Sequence, residues 1–474
     1  MREKTKDSML ERYFDLRGHN TTVRTEILAG ITTFITIAYI LILNPLIMSD
    51  PFRIMGDAEY AARVSNGVFI GTCLGAFLGT LLDGIYAKVP FAQAPGMGLN
   101  AFFAYTVVLT LGYSYSQALV VVFISGVLFI LITAVGLREA IIRSIPNAVK
   151  AAITPGIGLF ITIIGLKNSG LVVGNAATLV SMVDFSQWQN LDANLVLIGG
   201  ALGALVGLVV MGVLHAKHVK GSILIGIVAA TVVGIPLGVT QLSNFSFDLG
   251  AKFTDFVEIS FFKLDFAGLF GGENLVETIF TVAMLVLCFS LVNMFDSIGT
   301  LLGAAKQSGM IDEKGEVINM HQALMADAIS TAAGACLGTS TVTTVVESSA
   351  GIAEGGRTGF TSVITALLFL ASLIFAPIVG IVPGAATAPA LIFVGILMLS
   401  NIKDVDFSDM TEAVPAFCTI VFMPFTYSIA NGVAMGLILY CDMKLFTGKV
   451  KEIKPLTAIV ALIFIIRYAF MTLG

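Results

Sequence analysis

The sequence predicts an all-α protein that crosses a membrane many times and is built from two inverted halves. Composition, repeated apolar segments and an internal repeat predict this fold. The chain has 474 residues, of which 57% are hydrophobic and only 12% are charged, and its mean hydropathy is +0.94. Soluble proteins carry about 25% charged residues. This composition argues against a water-soluble globule, and a net charge of −5 without a basic groove argues against a nucleic-acid partner.

Apolar runs of about 20 residues, the length that spans a lipid bilayer, recur along the whole chain. We predict fourteen spans, which cover residues 26–48, 67–86, 94–111, 117–136, 146–166, 194–214, 221–239, 275–303, 320–338, 340–356, 359–379, 383–400, 412–426 and 428–446. A fifteenth run, 456–472, contains Arg467, and we expect an interfacial or peripheral helix there. The predicted divisions are an N-terminus (1–25), a first repeat (26–240), an external loop (241–274), a second repeat (275–446) and a C-terminal segment (447–474).

Positively charged residues predict the orientation of these spans. With the N-terminus in the cytoplasm, cytoplasmic segments hold 20 of the 26 Lys and Arg residues. The external loops hold five, and Arg467 is left over. This bias follows the positive-inside rule. No apolar run near the N-terminus ends in a cleavage site, so we expect no signal peptide. The terminal segments outside the predicted spans are compact, which favours a multi-pass protein of a bacterial plasma membrane.

Cysteine and histidine residues do not predict a metal site, a disulfide or an enzyme. Five cysteines are scattered through apolar runs, and we expect them to be small buried side chains. His215 and His218 lie in a short basic segment, with too few ligands for a metal. Gly96-x-Gly98-x-x-Ala101 matches a dinucleotide fingerprint, but it follows no soluble strand. We therefore predict no enzyme activity and no cofactor.

An internal repeat relates the two halves. Residues 72–80 and 331–339 both have the pattern TxxGAxLGT, at an offset of 259. Two further matches keep the same order, 145–158 with 382–395 and 222–226 with 428–432. The matched spans are seven apart, an odd number, so the second half must insert upside down, as in many transporters. The alternative is chance similarity, because glycine every four residues simply lets helices pack closely.

The third and tenth spans are predicted to be broken helices. Pro95, Gly96 and Gly98 disfavour helix in the third, where a helix can start near Asn100. The tenth begins with a β-branched run at 340–347, which favours an extended backbone. Irregular backbone at membrane depth survives only inside protein or along a cavity. Two helix starts would then offer N–H donors to a ligand; the alternative is two kinked helices without a ligand.

Asp296 and Glu347 are two carboxylates that lie inside the predicted spans. Asp296 lies on a polar helix face whose other members are Ser290, Asn293, Ser297 and Thr300. Glu347 lies where the strand-like part of span ten gives way to helix. A carboxylate at this depth is costly unless it is protonated or paired, and a structural ion pair would need a cation that the span centres lack. We predict that Glu347 contacts substrate and that Asp296 helps to bind it or holds a coupled proton.

Five motifs resemble one known family. They are Gly30-Ile-Thr-Thr-Phe-Ile-Thr-Ile-Ala-Tyr-Ile-Leu-x-Leu-Asn-Pro45, Ala94-Pro-Gly-Met-Gly-Leu-Asn-Ala101, Phe295-Asp-x-x-Gly-Thr300, Gly338-Thr-Ser-Thr-Val-Thr-Thr-x-x-Glu-Ser-Ser-Ala-Gly351 and Met423-Pro-Phe-Thr-Tyr-Ser-Ile-Ala-Asn-Gly432. Together they resemble the purine permease branch of the nucleobase/ascorbate transporter superfamily, the adenine/guanine/hypoxanthine permeases, over nearly the whole chain.

The resemblance implies a fold and a site. Spans 1–4 and 8–11 would form a core domain, and spans 5–7 and 12–14 a gate domain. Substrate would lie between short strands of spans 3 and 10. The residues that match the substrate site are Asp296, Glu347, Gly98, Leu99, Asn100 and Ser348, to which we add Thr344. Thr300 stands where uracil-transporting relatives have His, so the proton route through Asp296, Glu347 and Thr300 stays open.

These observations predict a proton-coupled purine nucleobase symporter. The family typically works as proton symporters, often as dimers. A purine is flat, and its edge alternates donors and acceptors that carboxylates and backbone groups can pair with. Overall likeness favours hypoxanthine and guanine, and adenine stays open. The alternatives are an anion transporter of the same architecture and a membrane-embedded enzyme; the anion transporters usually lack acidic site residues, and no nucleophile set is present for an enzyme.

Overall fold

The structure is a computed structural model that describes residues 9–136, 145–186, 191–242, 248–271, 275–308, 310, 318–379 and 381–470. In the first half the helices are α1 Met9–Phe14, α2 Val23–Ile37, α3 Ile40–Ile54, α4 Ala58–Leu82, α5 Met97–Ala101, α6 Tyr115–Ala134, α7 Asn147–Asn168, α8 Leu191–Ala216 and α9 Ser222–Gly234. In the second half they are α10 Leu249–Asp255, α11 Phe266–Phe270, α12 Leu275–Ser308, α13 Met320–Cys336, α14 Ser348–Ala353, α15 Gly359–Ala371, α16 Ala376–Val379, α17 Gly384–Leu399, α18 Met410–Phe425, α19 Ile429–Phe446 and α20 Pro455–Phe470.

Short strands and non-α turns complete the described chain. The strands are β1 Gln93–Pro95, β2 Val172–Asn175, β3 Leu179–Met182 and β4 Val342–Thr344. Wider π-helical segments cover Asp83–Ala87, Phe102–Thr110 and Phe256–Ser260. Tighter 3₁₀ segments cover Ser372–Phe375, Ser400–Asp404 and Val450–Glu452.

Each of the fourteen predicted spans coincides with helix, or with a strand followed by helix in the third and tenth. Within the described residues, eight helices are long and apolar enough to cross a membrane, and five other apolar helices are shorter. The count of fourteen crossings therefore stays a prediction. The bounds differ most at α4, which begins at Ala58 rather than near residue 67, because the Asp57 side chain accepts the Tyr60 N–H and caps the helix.

The predicted polar stretches contain some regular structure. Strands β2 and β3 form an antiparallel hairpin in the stretch 167–193, which was not predicted. The turn depends on Asn175, whose side chain accepts the N–H groups of Ala177 and Thr178. The predicted loop 241–274 contains the short helices α10 and α11, and the described part of the run 456–472 lies in α20, which packs on α19.

The inverted repeat is visible in contacts between counterparts. A methyl group at Gly75 would lie 3.9 Å from the Cα of Gly334, its partner at the offset of 259. One at Gly158 would lie 2.9 Å from the carbonyl oxygen of Gly395, which is its partner in the second match. Counterparts that touch each other lie beside a two-fold pseudo-axis. Glycine is needed at Gly158 because the backbone of the counterpart helix approaches closely there.

Hydrogen bonds between helices also occur at corresponding positions of the two halves. In the first half the Asn44 amide donates to Thr72 Oγ1 at 2.7 Å. In the second half the Asn293 amide donates to Thr331 Oγ1 at 3.2 Å. Thr72 and Thr331 are the first residues of the TxxGAxLGT repeats, so the polar bonds that tie neighbouring helices were duplicated with the fold.

Two sets of helices pack mainly among themselves. The first helix set contains α2–α6 and α12–α15, and the second helix set contains α7–α9 and α17–α19. Contacts between the sets are fewer. One of them is Gly98 of α5, where a methyl group would overlap Ile157 Cγ2 of α7. The site described next lies in the first helix set, beside this boundary.

Candidate binding site at the paired helix breaks

Strands β1 and β4 pair with each other in the middle of the first helix set. They are antiparallel, and Gln93, Ala94 and Pro95 lie opposite Thr344, Thr343 and Val342. All six residues are buried. The pairing continues past the strands, because the Gly96 N–H donates to the Thr341 carbonyl at 3.0 Å and the Val345 N–H to the Ala92 carbonyl at 3.0 Å. The predicted breaks in spans 3 and 10 are therefore one structural unit.

Local sequence explains why helices stop and restart here. Pro95 ends β1, and α5 begins at Met97, earlier than the predicted start near Asn100. The expectation that Gly98 lies outside helix was wrong: Gly98 belongs to α5, where the close approach to Ile157 leaves no room for a side chain. The hydroxyl of Ser348, the first residue of α14, accepts the Ala92 N–H at 3.0 Å and fixes one break against the other.

Glu347 lies at the end of the second break, directly before α14, as predicted. Its side chain is partly exposed. The Tyr39 hydroxyl donates a hydrogen bond to Glu347 Oε1 at 2.6 Å. Tyr39 is almost completely buried, between α2 and α3. One carboxylate oxygen is therefore held in place by the first half of the chain.

Asp296 lies on α12 and faces the strand pair. A methyl group on Gly96 would lie 4.0 Å from Asp296 Oδ2, so glycine leaves room between β1 and this carboxylate. Asp296 is partly exposed and is close enough to Glu347 and Asp327 for their charges to interact. The structure thus brings the two predicted carboxylates to the same strand pair, although neither is fully enclosed.

A third carboxylate, Asp327 of α13, was missed by the sequence analysis. It is completely buried. Its Oδ1 accepts the backbone N–H of Thr344 at 2.9 Å, and its Oδ2 accepts the hydroxyl of Ser297 at 2.6 Å. Ser297 follows Asp296 directly, so Asp327 joins β4 to the helix that carries Asp296. The signal that was available is an acid within an otherwise apolar helix, the same signal that identified Asp296.

The remaining predicted site residues lie at the same unit. Asn100 is fully buried, and its Oδ1 accepts a hydrogen bond from the Ser340 hydroxyl. Leu99 is buried and contributes apolar surface. Among the described residues, Asn100 Nδ2, Thr341 Oγ1 and Thr344 Oγ1 are buried without a hydrogen-bond partner. Polar atoms in this state are rare in folded proteins, and a bound polar ligand would satisfy them.

Two predicted residues have a weaker connection to this unit. The Ser348 hydroxyl is occupied by backbone groups, since it also donates to the Val345 carbonyl at 2.7 Å. Thr300 lies one turn beyond Asp296 on α12 and is partly buried. No hydrogen bond within the described residues links Thr300 to Asp296 or Glu347. Its part in proton movement stays a prediction.

The assembled unit can bind a small, flat, polar molecule. It offers carboxylate acceptors from Asp296 and Glu347, an amide donor from Asn100 and hydroxyl groups from the strand pair. Leu99 and the other apolar side chains would contact the faces of a ring. Tyr39 was not predicted, because a tyrosine within an apolar segment gives no signal by itself.

The chain is similar to several known proteins. The profile of one protein family, the permease family, matches residues 24–435 of the chain. The chain is 42% identical to a putative permease of Methanocaldococcus jannaschii, over 98% of this chain and 99% of that protein. It is 41% identical to the adenine permease AdeP of Escherichia coli, over 98% of this chain and 96% of that permease. It is 38% identical to the guanine/hypoxanthine permease PbuG of Bacillus subtilis, over 98% of this chain and 100% of that permease.

A solved structure supports the fold. The transmembrane domain of the cyanobacterial bicarbonate transporter BicA superposes with a TM-score of 0.60, over 88% of this chain and 97% of that one. The sequences are 17% identical, so the likeness concerns the fold alone. It confirms the predicted all-α membrane fold with inverted repeats.

Proposed function

This chain belongs to the permease family, and we propose that it carries purine nucleobases across the plasma membrane together with protons. It is a membrane transporter and not an enzyme. Relatives that span its full length are named for adenine and for guanine and hypoxanthine. This chain is 41% identical to the adenine permease and 38% identical to the guanine/hypoxanthine permease, and these values are too similar to decide which base it carries. The proposal therefore covers all three bases and no longer favours hypoxanthine and guanine.

The observation that carries the proposal is the position of Asp296 and Glu347 at one strand pair. A purine edge presents N–H groups that a carboxylate accepts, and ring nitrogens and carbonyls that the Asn100 amide and the strand hydroxyls can serve. The unpartnered Asn100 Nδ2 and Thr344 Oγ1 supply these groups. Charge-assisted hydrogen bonds of this kind are about twice as strong as neutral ones.

Transport would follow from movement between the two helix sets. We propose that the first helix set is the core domain and the second is the gate domain, with the N-terminus in the cytoplasm. The packing of the helices and the close contact of Gly98 with Ile157 support this division. Binding of purine and proton would shift the population between states that open to opposite sides. Assembly as a homodimer belongs to the same proposal.

Uptake by the purified protein tests the function. We would reconstitute the full chain in liposomes and measure labelled hypoxanthine uptake under an inward proton gradient. Unlabelled adenine, guanine and hypoxanthine should compete, and a protonophore should abolish accumulation. Absence of purine uptake, together with uptake of bicarbonate or sulfate, would favour the anion-transport alternative instead.

The variant Glu347→Gln tests the site. We expect uptake to be abolished while expression stays normal, because glutamine removes the acceptor charge and hydrogen bonds to charged groups contribute about 1.5–3 kcal/mol. Glu354→Gln, in an exposed ion pair with Lys220, is the matched control and should transport normally. Normal purine uptake by Glu347→Gln would show that the site is assigned wrongly.

A further inference from the structure

A cluster of buried polar side chains, Asp83, Gln93 and Ser330, lies where α4, α13 and β1 meet. Gly79 of α4 has no side chain, and a methyl group there would lie 2.7 Å from Gln93 Oε1 and 2.9 Å from Ser330 Oγ. The Gln93 side chain therefore occupies room that Gly79 leaves open. Asp83, one turn beyond Gly79, is completely buried, as is Gln93.

Asp83 has an unusual environment for a carboxylate. Within the described residues, neither of its oxygens meets a partner at hydrogen-bonding geometry, and the same holds for both polar atoms of the Gln93 amide. The Gln93 side chain lies beside Asp83, and Asp327 of α13 is the charged group that faces it. Helix α15 contributes the backbone of Gly359 and the side chain of Val363 next to Gly84, neither of which can titrate.

An ionised carboxylate is costly in such a place, because burial removes water and no cation among the described side chains replaces it. The neutral acid removes this cost, since its O–H can donate to the Gln93 amide oxygen. We propose that Asp83 is the group that holds the co-transported proton, while Asp296 and Glu347 hold the purine. This inference rests on the proposed proton-coupled transport and names the residue that carries out the coupling.

This buried polar cluster is connected to the substrate site through the strand pair. Gln93 is the first residue of β1 and lies opposite Thr344 of β4. Thr80 holds the Gln93 backbone, accepting its N–H at 2.9 Å and donating to its carbonyl at 3.0 Å. Asp327 accepts the Thr344 N–H on the other side of the pair. A proton on Asp83 therefore acts on the same two strands that carry the binding groups, without touching the substrate.

The variant Asp83→Asn tests this assignment, because asparagine has the shape of the acid and cannot lose a proton. In liposomes that contain the full chain, we expect purine counterflow, which needs no net proton movement, to stay within about twofold of the unmodified protein. Accumulation driven by a pH gradient should fall at least tenfold. Asp57→Asn is the matched control at the exposed end of the same helix, where asparagine caps equally well, and it should keep both activities.

The outcomes separate this inference from the proposed function. If the unmodified protein transports purine but ignores the pH gradient, the proposed proton coupling itself fails. If it is coupled and Asp83→Asn is equally coupled, only the assignment of Asp83 is overturned. An Asp83→Asn protein that elutes as a single folded species but binds no purine would also overturn it.

A second variant covers the case in which Asp83→Asn does not fold. Gln93→Glu keeps the size of the side chain and places a second carboxylate beside Asp83. Two adjacent carboxylates do not both ionise readily. We therefore expect proton-driven uptake to persist to a pH about one unit higher than in the unmodified protein. An unchanged pH profile would overturn the assignment.

Discussion

The two helix breaks share a backbone plan but differ in chemistry. In each, a three-residue strand runs into a helix start, and the two strands pair with each other. In the first break, Gly96 alone joins β1 to α5, and its lack of a side chain leaves room for Asp296. In the second, residues 345–347 join β4 to α14, and the last of them is Glu347. One break supplies space, and the other supplies charge.

The same asymmetry extends to the helices beside the breaks. Asp296 comes three residues after Asn293, whereas Ile47 comes three residues after the counterpart Asn44. Asp327 corresponds to Val68 at the repeat offset of 259. Duplication fixed the backbone and its interhelical hydrogen bonds, while the acidic side chains at the strand pair, Asp296, Asp327 and Glu347, belong to the second half. A ligand without two-fold symmetry can therefore bind beside a pseudo-symmetry axis.

Among the variants that test this asymmetry, Asp327→Asn is expected to have the largest effect on purine uptake. The Asp327 carboxylate accepts from both the Thr344 N–H and the Ser297 hydroxyl, whereas asparagine offers a single acceptor oxygen. One of these two buried hydrogen bonds to a charged group is therefore lost, which we expect to destabilise the fold by about 1–3 kcal/mol. Because β4 and α12 would no longer be held together, we expect purine uptake to fall by roughly 100-fold, the upper part of that range. Uptake rate and unfolding temperature in detergent measure the two effects.

Asp248→Asn is the control for this variant, since Asp248 is an exposed N-cap residue that asparagine can replace. Uptake by Asp327→Asn within twofold of the control would contradict the role given to Asp327 at the strand pair.

Tyr39→Phe removes the contribution that the first half makes to Glu347. The ring stays buried, and only the hydroxyl that donates to Glu347 Oε1 is lost. We expect the purine KM to rise about tenfold with a smaller change in maximal rate, because a hydrogen bond to a charged group contributes about 1.5 kcal/mol or more. Tyr13→Phe is the control, since the Tyr13 hydroxyl donates to the Ile85 carbonyl at an exposed position. An unchanged KM would mean that the hydrogen bond from Tyr39 does not contribute to purine binding at Glu347.

The sequence predicts much of this structure because the strongest signals are local. Long apolar segments identify the helices, and Pro95 with Gly96 identifies a break. It does not predict that α5 begins at Met97, because that depends on how closely Gly98 approaches α7. The partners of Asp327 and Tyr39 lie on other elements of the fold, and their distances follow only from packing. Two carboxylates could therefore be predicted, but not the groups that hold them.

The smallest expected effect comes from the duplicated hydrogen bonds, and it tests whether the two halves are energetically equivalent. Asn44 donates to both Thr72 and Thr339, at 2.7 and 2.8 Å, whereas its counterpart Asn293 has one described bond, to Thr331 at 3.2 Å. Each buried bond contributes about 1 kcal/mol. We expect Asn44→Ala to lower the unfolding temperature about twice as much as Asn293→Ala, as measured in detergent.

Asn401→Ala, which removes a single bond within its own partly exposed turn, should change the unfolding temperature least. Neither buried variant should alter the purine KM by more than about twofold, because these bonds join helices rather than contact the ligand. The opposite order, with Asn293→Ala the more destabilising, would mean that the second half depends on its polar helix contacts more than the first. The asymmetry between the halves would then concern stability as well as charge.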